Sequence, residues 1–418
     1  MQSLTGFLDL KTFLIVAAGN SLSHVGKALA LRAALVGKGH RVILAAGRDF
    51  TWLFTWLGGI SFEVVADVQE TDHSSFPTIS WFINGEVVRN CLLEEVALIE
   101  KIKPDVVVGI FRFTLKAAAK MVGVPFCALS CGCLLPELEE PLGFFSDDEG
   151  AVRQRENIDY FFRYVGTRLA RAFKQLGFSE AVTDGRWMLT GEKTLLWDFP
   201  EFMPIQERAD RVYCGPLDWH DWPFDDFDCT VLGGSAKPLA VVSFGTCNAS
   251  KYILQRVTEN LLWLGYRVII STAGQNGLSW QMPRHPDVQV VNMVSLPELF
   301  AQAALLVTHG GQLTIFSAIR AKIPILVMPF QPEQAHNAIC LERIGCGARL
   351  IDAVPFSGKP EVYRQVLAEM SDFQLRKRIK RLVEREDLNR NLAYFSNVLQ
   401  NYSGASLAAD VLGRELSS

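Results

Sequence analysis

At 418 residues, 49% of them hydrophobic and 21% charged, the chain is long enough for two or three domains of ~150 residues, each with a sizeable core. A formal net charge of -4 provides no global cationic field to gather phosphate backbones, which argues against nucleic acid as a partner. No run approaches the ~18 uninterrupted apolar residues that span a bilayer, and residues 1–11 lack the basic and apolar regions of a leader; a cytoplasmic protein without a transmembrane segment is expected.

Residues 12–18 form a continuous apolar run, followed by Gly19, Asn20 and Ser21 and then by an apolar-periodic stretch over 25–36 that stops at Gly37, Lys38 and Gly39. That order predicts strand, loop, helix and stop. Residues 40–46 read as a second uninterrupted strand, as expected where helices cover both faces of a parallel sheet. The alternation recurs at 105–109, 116–122 and 125–130, so the first domain, taken as 1–214, is expected to be doubly wound.

Over 215–237 every periodicity breaks at Pro216, Trp219, Trp222, Pro223, an acidic cluster at Asp225, Asp226 and Asp228, and Gly233-Gly234; this reads as an interdomain linker. Asp226 and Asp228 have Asp-x-Asp spacing, but a solvated acidic cluster explains them without a metal. Strands resume at 239–244, 267–271, 288–291, 304–308 and 325–328, with a helix over 253–264, which predicts a second Rossmann-like sheet within 238–395. Beyond Pro360 the pattern is helical, with Leu375, Ile379, Leu382 and Val383 on one face and Arg376, Lys377, Arg378, Lys380 and Arg381 on the others. A last helix within 396–418 is expected to pack back on the first domain. The expected fold is α/β, two doubly wound parallel sheets facing across a cleft.

Nine cysteines fall mostly inside apolar runs, such as Cys91, Cys127, Cys214 and Cys340, where a reduced thiol behaves as a small hydrophobe. Cys131-Gly132-Cys133 lacks the second half of a zinc site and reads the same way.

Ligands of open α/β sheets bind beyond the carboxyl ends of the strands. One such end runs from an apolar strand into His309, Gly310 and Gly311 and then into a helix that carries Thr314. Two glycines admit a ligand close to the backbone, and the free amides of the helix start carry about half a positive charge, so a diphosphate fits there without a metal. The next strand end carries Pro329, Glu333, Gln334, Asn337 and Ala338, where a carboxylate beside an amide suits neighbouring sugar hydroxyls.

Together these residues resemble the donor-site signature of the UDP-glycosyltransferase-like superfamily, which has the two-domain architecture called GT-B, and most closely its bacterial macrolide- and antibiotic-type glycosyltransferases. The resemblance also covers residues 241–246, 104–113 and Ser23-His24-Val25, and fades over about 130–190, as a variable acceptor-binding segment would. It implies that Gly245 and Thr246 lie near the diphosphate, Val294 near the base, and Glu333 and Gln334 at the donor sugar. It implies a nucleotide diphosphate-sugar donor, UDP- or dTDP-linked, a small and hydrophobic acceptor, and no cofactor or metal. Ser317 stands where many UDP-sugar enzymes of the superfamily carry a Glu on the ribose, and a small hydroxyl residue there accompanies deoxythymidine donors.

His24, in the loop after the first strand, is the expected base, taking the acceptor's hydroxyl proton as that oxygen attacks the anomeric carbon and inverts it; a neutral imidazole is competent for this. The superfamily often supports this His with an Asp; the matching residue here is Ile110, and Asp72 beside His73 is one alternative. A catalytically idle nucleotide-sugar-binding partner, motivated by Ile110 and Ser317, and a nucleotide-sugar epimerase are the competing readings. Whether the protein is a homodimer is left open.

Overall fold

The computed structural model describes residues 10–18, 22–66, 84–222, 236–245, 251–273, 285–352, 354 and 361–414. Thr246, the acidic cluster at 225–228, and Asp72, His73, Phe76, Trp81 and Phe82 lie outside the described residues.

The first half runs β1 (Thr12–Ala17), α1 (Leu22–Gly37), β2 (Arg41–Ala46), α2 (Thr51–Leu57), β3 (Phe62–Val64) and α3 (Gly85–Ile102). It continues with β4 (Val106–Ile110), α4 (Leu115–Val122), β5 (Phe126–Ser130), α5 (Ala151–Lys174), β6 (Thr194–Leu196) and β7 (Arg211–Tyr213). The seven strands pair in parallel in the order β3-β2-β1-β4-β5-β6-β7. β1 shows why its run of apolar residues is unbroken. Phe13 and Ile15 belong to the core on one side of the sheet, Leu14 and Val16 to the core on the other, and all four are fully buried. Such a strand is stable only with both faces covered, and each side chain so buried contributes roughly 1.5–3 kcal/mol.

The second half runs β8 (Leu239–Ser243), α6 (Lys251–Trp263), β9 (Arg267–Ser271), β10 (Val288–Val291), α7 (Leu296–Phe300), β11 (Ala303–Thr308), α8 (Gln312–Arg320), β12 (Ile325–Val327), α9 (Pro332–Arg343) and β13 (Gly347–Arg349). Its six strands are again parallel, ordered β10-β9-β8-β11-β12-β13. The chain ends in α10 (Glu361–Glu369), α11 (Asp372–Val383), α12 (Leu388–Gln400) and α13 (Ala405–Arg414). Residue 396, the expected start of a last helix, falls inside α12, where Ser396 Oγ donates to the Arg320 carbonyl of α8 at 3.1 Å. α13 packs on α1 of the first half, with Lys38 and Asp410 paired at 3.0 Å.

In α11, Leu375, Ile379 and Leu382 are buried and a capping box between Ser371 and Gln374 closes its first turn. Val383, expected on the same face, is half-buried, and the cations of 376–381 cover the outer side. No helix among the described residues is long and apolar enough to cross a membrane.

Both sheets reverse direction of strand order between their first and fourth strands, at β1/β4 and at β8/β11. A crevice opens at the carboxyl ends of the strands at each reversal, and the chemistry of open α/β sheets gathers there.

Candidate active site

At the first crevice, β1 feeds α1 and β4 ends beside it, so the pairing of these strands brings His24 to residue 111. The His24 imidazole stacks on Phe111 with ring centroids 5.1 Å apart and planes at 27°. Phe111 adopts φ 54°, a left-handed conformation that non-glycine residues seldom take without compensation. The next residue supplies it: Arg112 donates from Nε and Nη2 to Glu95 Oε1 at 2.9 and 2.6 Å, a buried pair between α3 and the loop after β4. Ile110, at the position where the superfamily often carries a supporting Asp, is fully buried in the core, and its carbonyl accepts from the Ala18 N–H at 2.9 Å.

At the second crevice, β8 leads into Gly245 and β11 into His309. A Cβ on Gly245 would lie 2.9 Å from His309 Cε1, and one on Gly311 would lie 2.7 Å from His309 Nε2, so the imidazole is held in a slot between two glycines. Gly245 has φ 56° and Gly310 φ 101°, both left-handed turns. Gly311 is the residue before α8, whose first amides point back toward this slot. Burial pushes the His309 pKa down to about 4, with a hydrogen bond to the Ser243 main chain acting the other way. The ring is neutral at physiological pH. Thr314 and Ser317 lie half-buried on α8, and the Val294 side chain is buried in the core.

α9 supplies the third wall. Asn337 Nδ2 bridges the Gly310 carbonyl at 2.8 Å and Glu333 Oε1 at 2.9 Å, tying the carboxylate to the glycine turn. Burial raises the Glu333 pKa, opposed by the Asn337 hydrogen bond and by Lys27. Gln334, buried, uses its Oε1 to accept the Phe330 N–H at 2.8 Å, which fixes the amide at the strand end.

The two crevices meet through residues that the sequence patterns did not single out. Trp197, just past β6, donates its indole N–H to Gln312 Oε1 at 2.5 Å, and Gln312 Nε2 donates to Asp198 Oδ1. Asp198 also accepts the Gly132 N–H at 2.6 Å, and burial pushes its pKa up to about 7 against these hydrogen bonds. Lys27, on α1 one turn past His24, lies over the Trp197 ring at 4.5 Å and donates to Ser23 Oγ at 2.6 Å. Burial lowers its pKa to about 8, opposed through space by Cys131, Glu333, Asp218 and Asp198. Burial and the Lys27 cation push His24 down to about 3. His24, Lys27 and the His309 and Glu333 loops thus border one cleft.

The segment between β5 and β6 closes the cleft on another side. Gly143 N–H donates to His336 Nδ1 of α9 at 3.1 Å, Glu140 pairs with Arg343, and Asp148 pairs with Arg349 at 3.4 Å. Phe144 is buried there and Phe145 is half-buried. Cys131 and Cys133 are buried thiols with Sγ atoms 3.3 Å apart, and no cluster of three metal-ligating side chains occurs among the described residues.

Residues 229–360 match the family model of the glycosyltransferase family 28 C-terminal domain, which covers β8 to β13 and the His309 and Glu333 loops. Two parallel sheets with their crevices facing, and this match over the second, make the chain a glycosyltransferase of the GT-B architecture. It is 25% identical over 405 residues, 87% of this chain and 84% of the other, to a PGL/p-HBAD biosynthesis rhamnosyltransferase of Mycobacterium bovis (strain BCG / Pasteur 1173P2). Its fold is similar to that of the glycotransferase of kitacinnamycin, with a TM-score of 0.73, 19% identity, and coverage of 97% of this chain and 99% of that one. It is also similar to the Streptomyces sp. SF2575 glycosyltransferase SsfS6 complexed with thymidine diphosphate, with a TM-score of 0.63, 17% identity, and coverage of 96% and 99%.

Proposed function

We propose that the protein transfers a sugar from a nucleotide diphosphate-sugar to a hydroxyl of a small hydrophobic acceptor, inverting the anomeric centre and using no metal. One observation carries the reading: a neutral histidine at the strand-order reversal of the first sheet shares a cleft with a glycine-lined helix start at the reversal of the second. The acceptor binds against α1, Phe111 and Trp197, and its hydroxyl proton passes to His24 as the oxygen attacks. The departing diphosphate is met by the amides at the start of α8 and by His309, and the N-terminal partial charge of that helix stabilises it where a metal ion would otherwise stand. Glu333 and Gln334 hold the sugar. The thymidine diphosphate named with the SsfS6 structure supports a nucleoside diphosphate in the second crevice, and Ser317 favours a deoxythymidine-linked donor. Gly245 completes the phosphate side, with Val294 near the base.

The experiment is calorimetry with UDP, dTDP and their sugars in EDTA, followed by transfer assays on a panel of hydrophobic alcohols and phenols. Metal-free binding and transfer with inversion are expected. Binding that requires added Mg²⁺ or Mn²⁺ contradicts the metal-free reading. Ile110 in the core favours a second reading, an idle nucleotide-sugar-binding subunit; it becomes the better one when donors bind and no acceptor is glycosylated.

A further inference from the structure

Lys27 is a buried cation that the reaction above does not use. It is 3% exposed, and no carboxylate among the described residues lies within 4.0 Å of its Nζ. Among the described residues its hydrogen bonds go to Ser23 alone, at 2.6 Å to Oγ and 3.4 Å to the carbonyl, and both acceptors are neutral. An ammonium group removed from water ordinarily acquires a counter-charge, because burying it unpaired is costly. Here Glu333, Asp218, Asp198 and Cys131 act on it only through space. Two of these, Glu333 and Asp198, have carboxyl groups that burial biases toward the neutral form.

The position of the cation selects what pairs with it. Residues three apart on a helix share a face, so Lys27 and His24 look out from α1 together. Both border the Trp197 ring, the ammonium at 4.5 Å and the imidazole at 6.5 Å, and Phe111 stacks on the imidazole. The base is therefore bordered by two aromatic rings and a positive charge. An alkyl alcohol has no ring for the first feature and ionises too reluctantly to draw fully on the second. An aromatic ring bearing an acidic hydroxyl uses both, its ring against Phe111 and Trp197 and its oxyanion against the ammonium. The Lys27 cation also opposes protonation of His24, so proton transfer to that imidazole favours a hydroxyl that ionises readily.

We infer that Lys27 selects the acceptor: it pairs with the developing oxyanion of a phenolic hydroxyl, making phenols the acceptor class of this enzyme. The inference rests on the reaction proposed above. In that step the phenolic proton moves to the His24 imidazole, the phenolic oxygen forms its bond to the anomeric carbon, and the bond from that carbon to the diphosphate oxygen breaks with its electron pair leaving on the nucleoside diphosphate. Lys27 neither gives nor takes a proton; its charge lowers the energy of the oxyanion as it forms.

The test has a binding arm and a turnover arm, both with the full chain in EDTA. In the first, calorimetry compares benzoate with benzamide at saturating nucleoside diphosphate; the carboxylate should bind at least tenfold more tightly, and Lys27→Met, which keeps the stem on Trp197, should erase the difference while Lys27→Arg retains it. In the second, kcat/KM for a phenol should exceed that for the matching benzyl alcohol, and Lys27→Met should lower the phenol value by about 100-fold and the alcohol value far less. Equal binding of benzoate and benzamide overturns the inference, as does an equal loss for both acceptors. Weaker nucleoside diphosphate binding by Lys27→Met, with the benzoate preference intact, also overturns it and assigns the cation to the donor. Absence of transfer to every acceptor, with the benzoate preference present, contradicts the proposed reaction and leaves the oxyanion contact standing.

Discussion

Trp197 and Gln312 are joined at 2.5 Å, the indole of the first half donating to the side-chain carbonyl that opens α8 in the second. Because Gln312 also donates to Asp198, one amide satisfies two buried groups of the opposite half. Gln312→Leu keeps the volume and removes both contacts. Leaving a buried donor and acceptor unpaired costs about 1–3 kcal/mol each. Urea unfolding should therefore show a loss of about 2–5 kcal/mol, and kcat/KM should fall because the two crevices are no longer held in register. An unchanged midpoint would show that the bridge is not a stabilising contact.

Gly310 and Gly311 are adjacent but make opposite predictions. Gly310 has φ 101°, and a Cβ there would meet Val327 Cγ1 at 2.7 Å and the Gln334 carbonyl at 3.0 Å, so Gly310→Ala strains the backbone and should destabilise the fold by about 1–3 kcal/mol. Gly311 has φ -65°, which alanine adopts freely, and the nearest neighbour of its Cβ would be the His309 ring at 2.7 Å. Gly311→Ala should thus fold normally and bind nucleoside diphosphate at least tenfold more weakly. Thermal melts and calorimetry on the two variants separate the effects.

The pH dependence of stability follows from three buried imidazoles. His24 and His336 are pushed down to about 3, and His309 to about 4, in each case chiefly by burial. Each is neutral in the fold and charged in the unfolded chain between those values and 6.5, so the unfolded state binds more protons there and stability is lost as pH falls through that window. Asp198, raised to about 7, and Glu333, also raised by burial, hold their protons in the fold over part of the same window and oppose them. His40, which burial also lowers, joins the three imidazoles against these two carboxyls, so the urea midpoint should drop from pH 7 to pH 5. kcat/KM should show no acid limb from His24 near 6.5, since its neutral form persists to about 3. A midpoint that rises on acidification would contradict this arrangement.

The fold was legible because parallel strands covered on both faces leave unbroken apolar runs, as at residues 12–17, 239–243 and 303–308. The glycine turn of the second crevice was legible because His309, Gly310 and Gly311 punctuate a strand end. β6 and β7, three residues each, carry too little pattern to distinguish a strand from a turn, and Trp197 and Asp198 follow directly from that blind segment. Gln312 reads as an ordinary first residue of a helix; its role depends on a partner 115 residues away. Lys27 was visible in principle, as a cation among Val25, Ala28, Leu29 and Leu31 on the buried face of α1. What it faces lies just past β6 and on α9, which only the folded chain brings near.

The central claim is that His24 removes the acceptor proton while the second half holds the donor, and single-turnover transfer from a bound nucleotide-sugar in EDTA tests it most directly. A group that acts only as the acceptor oxygen attacks contributes to the transition state and not to donor binding, and such assistance is worth ~100-fold or more. His24→Ala should therefore slow sugar transfer by at least that factor while the dissociation constant for the nucleotide-sugar stays within about twofold of the parent. Transfer by His24→Ala at the parental rate would contradict the account and assign the proton to another group.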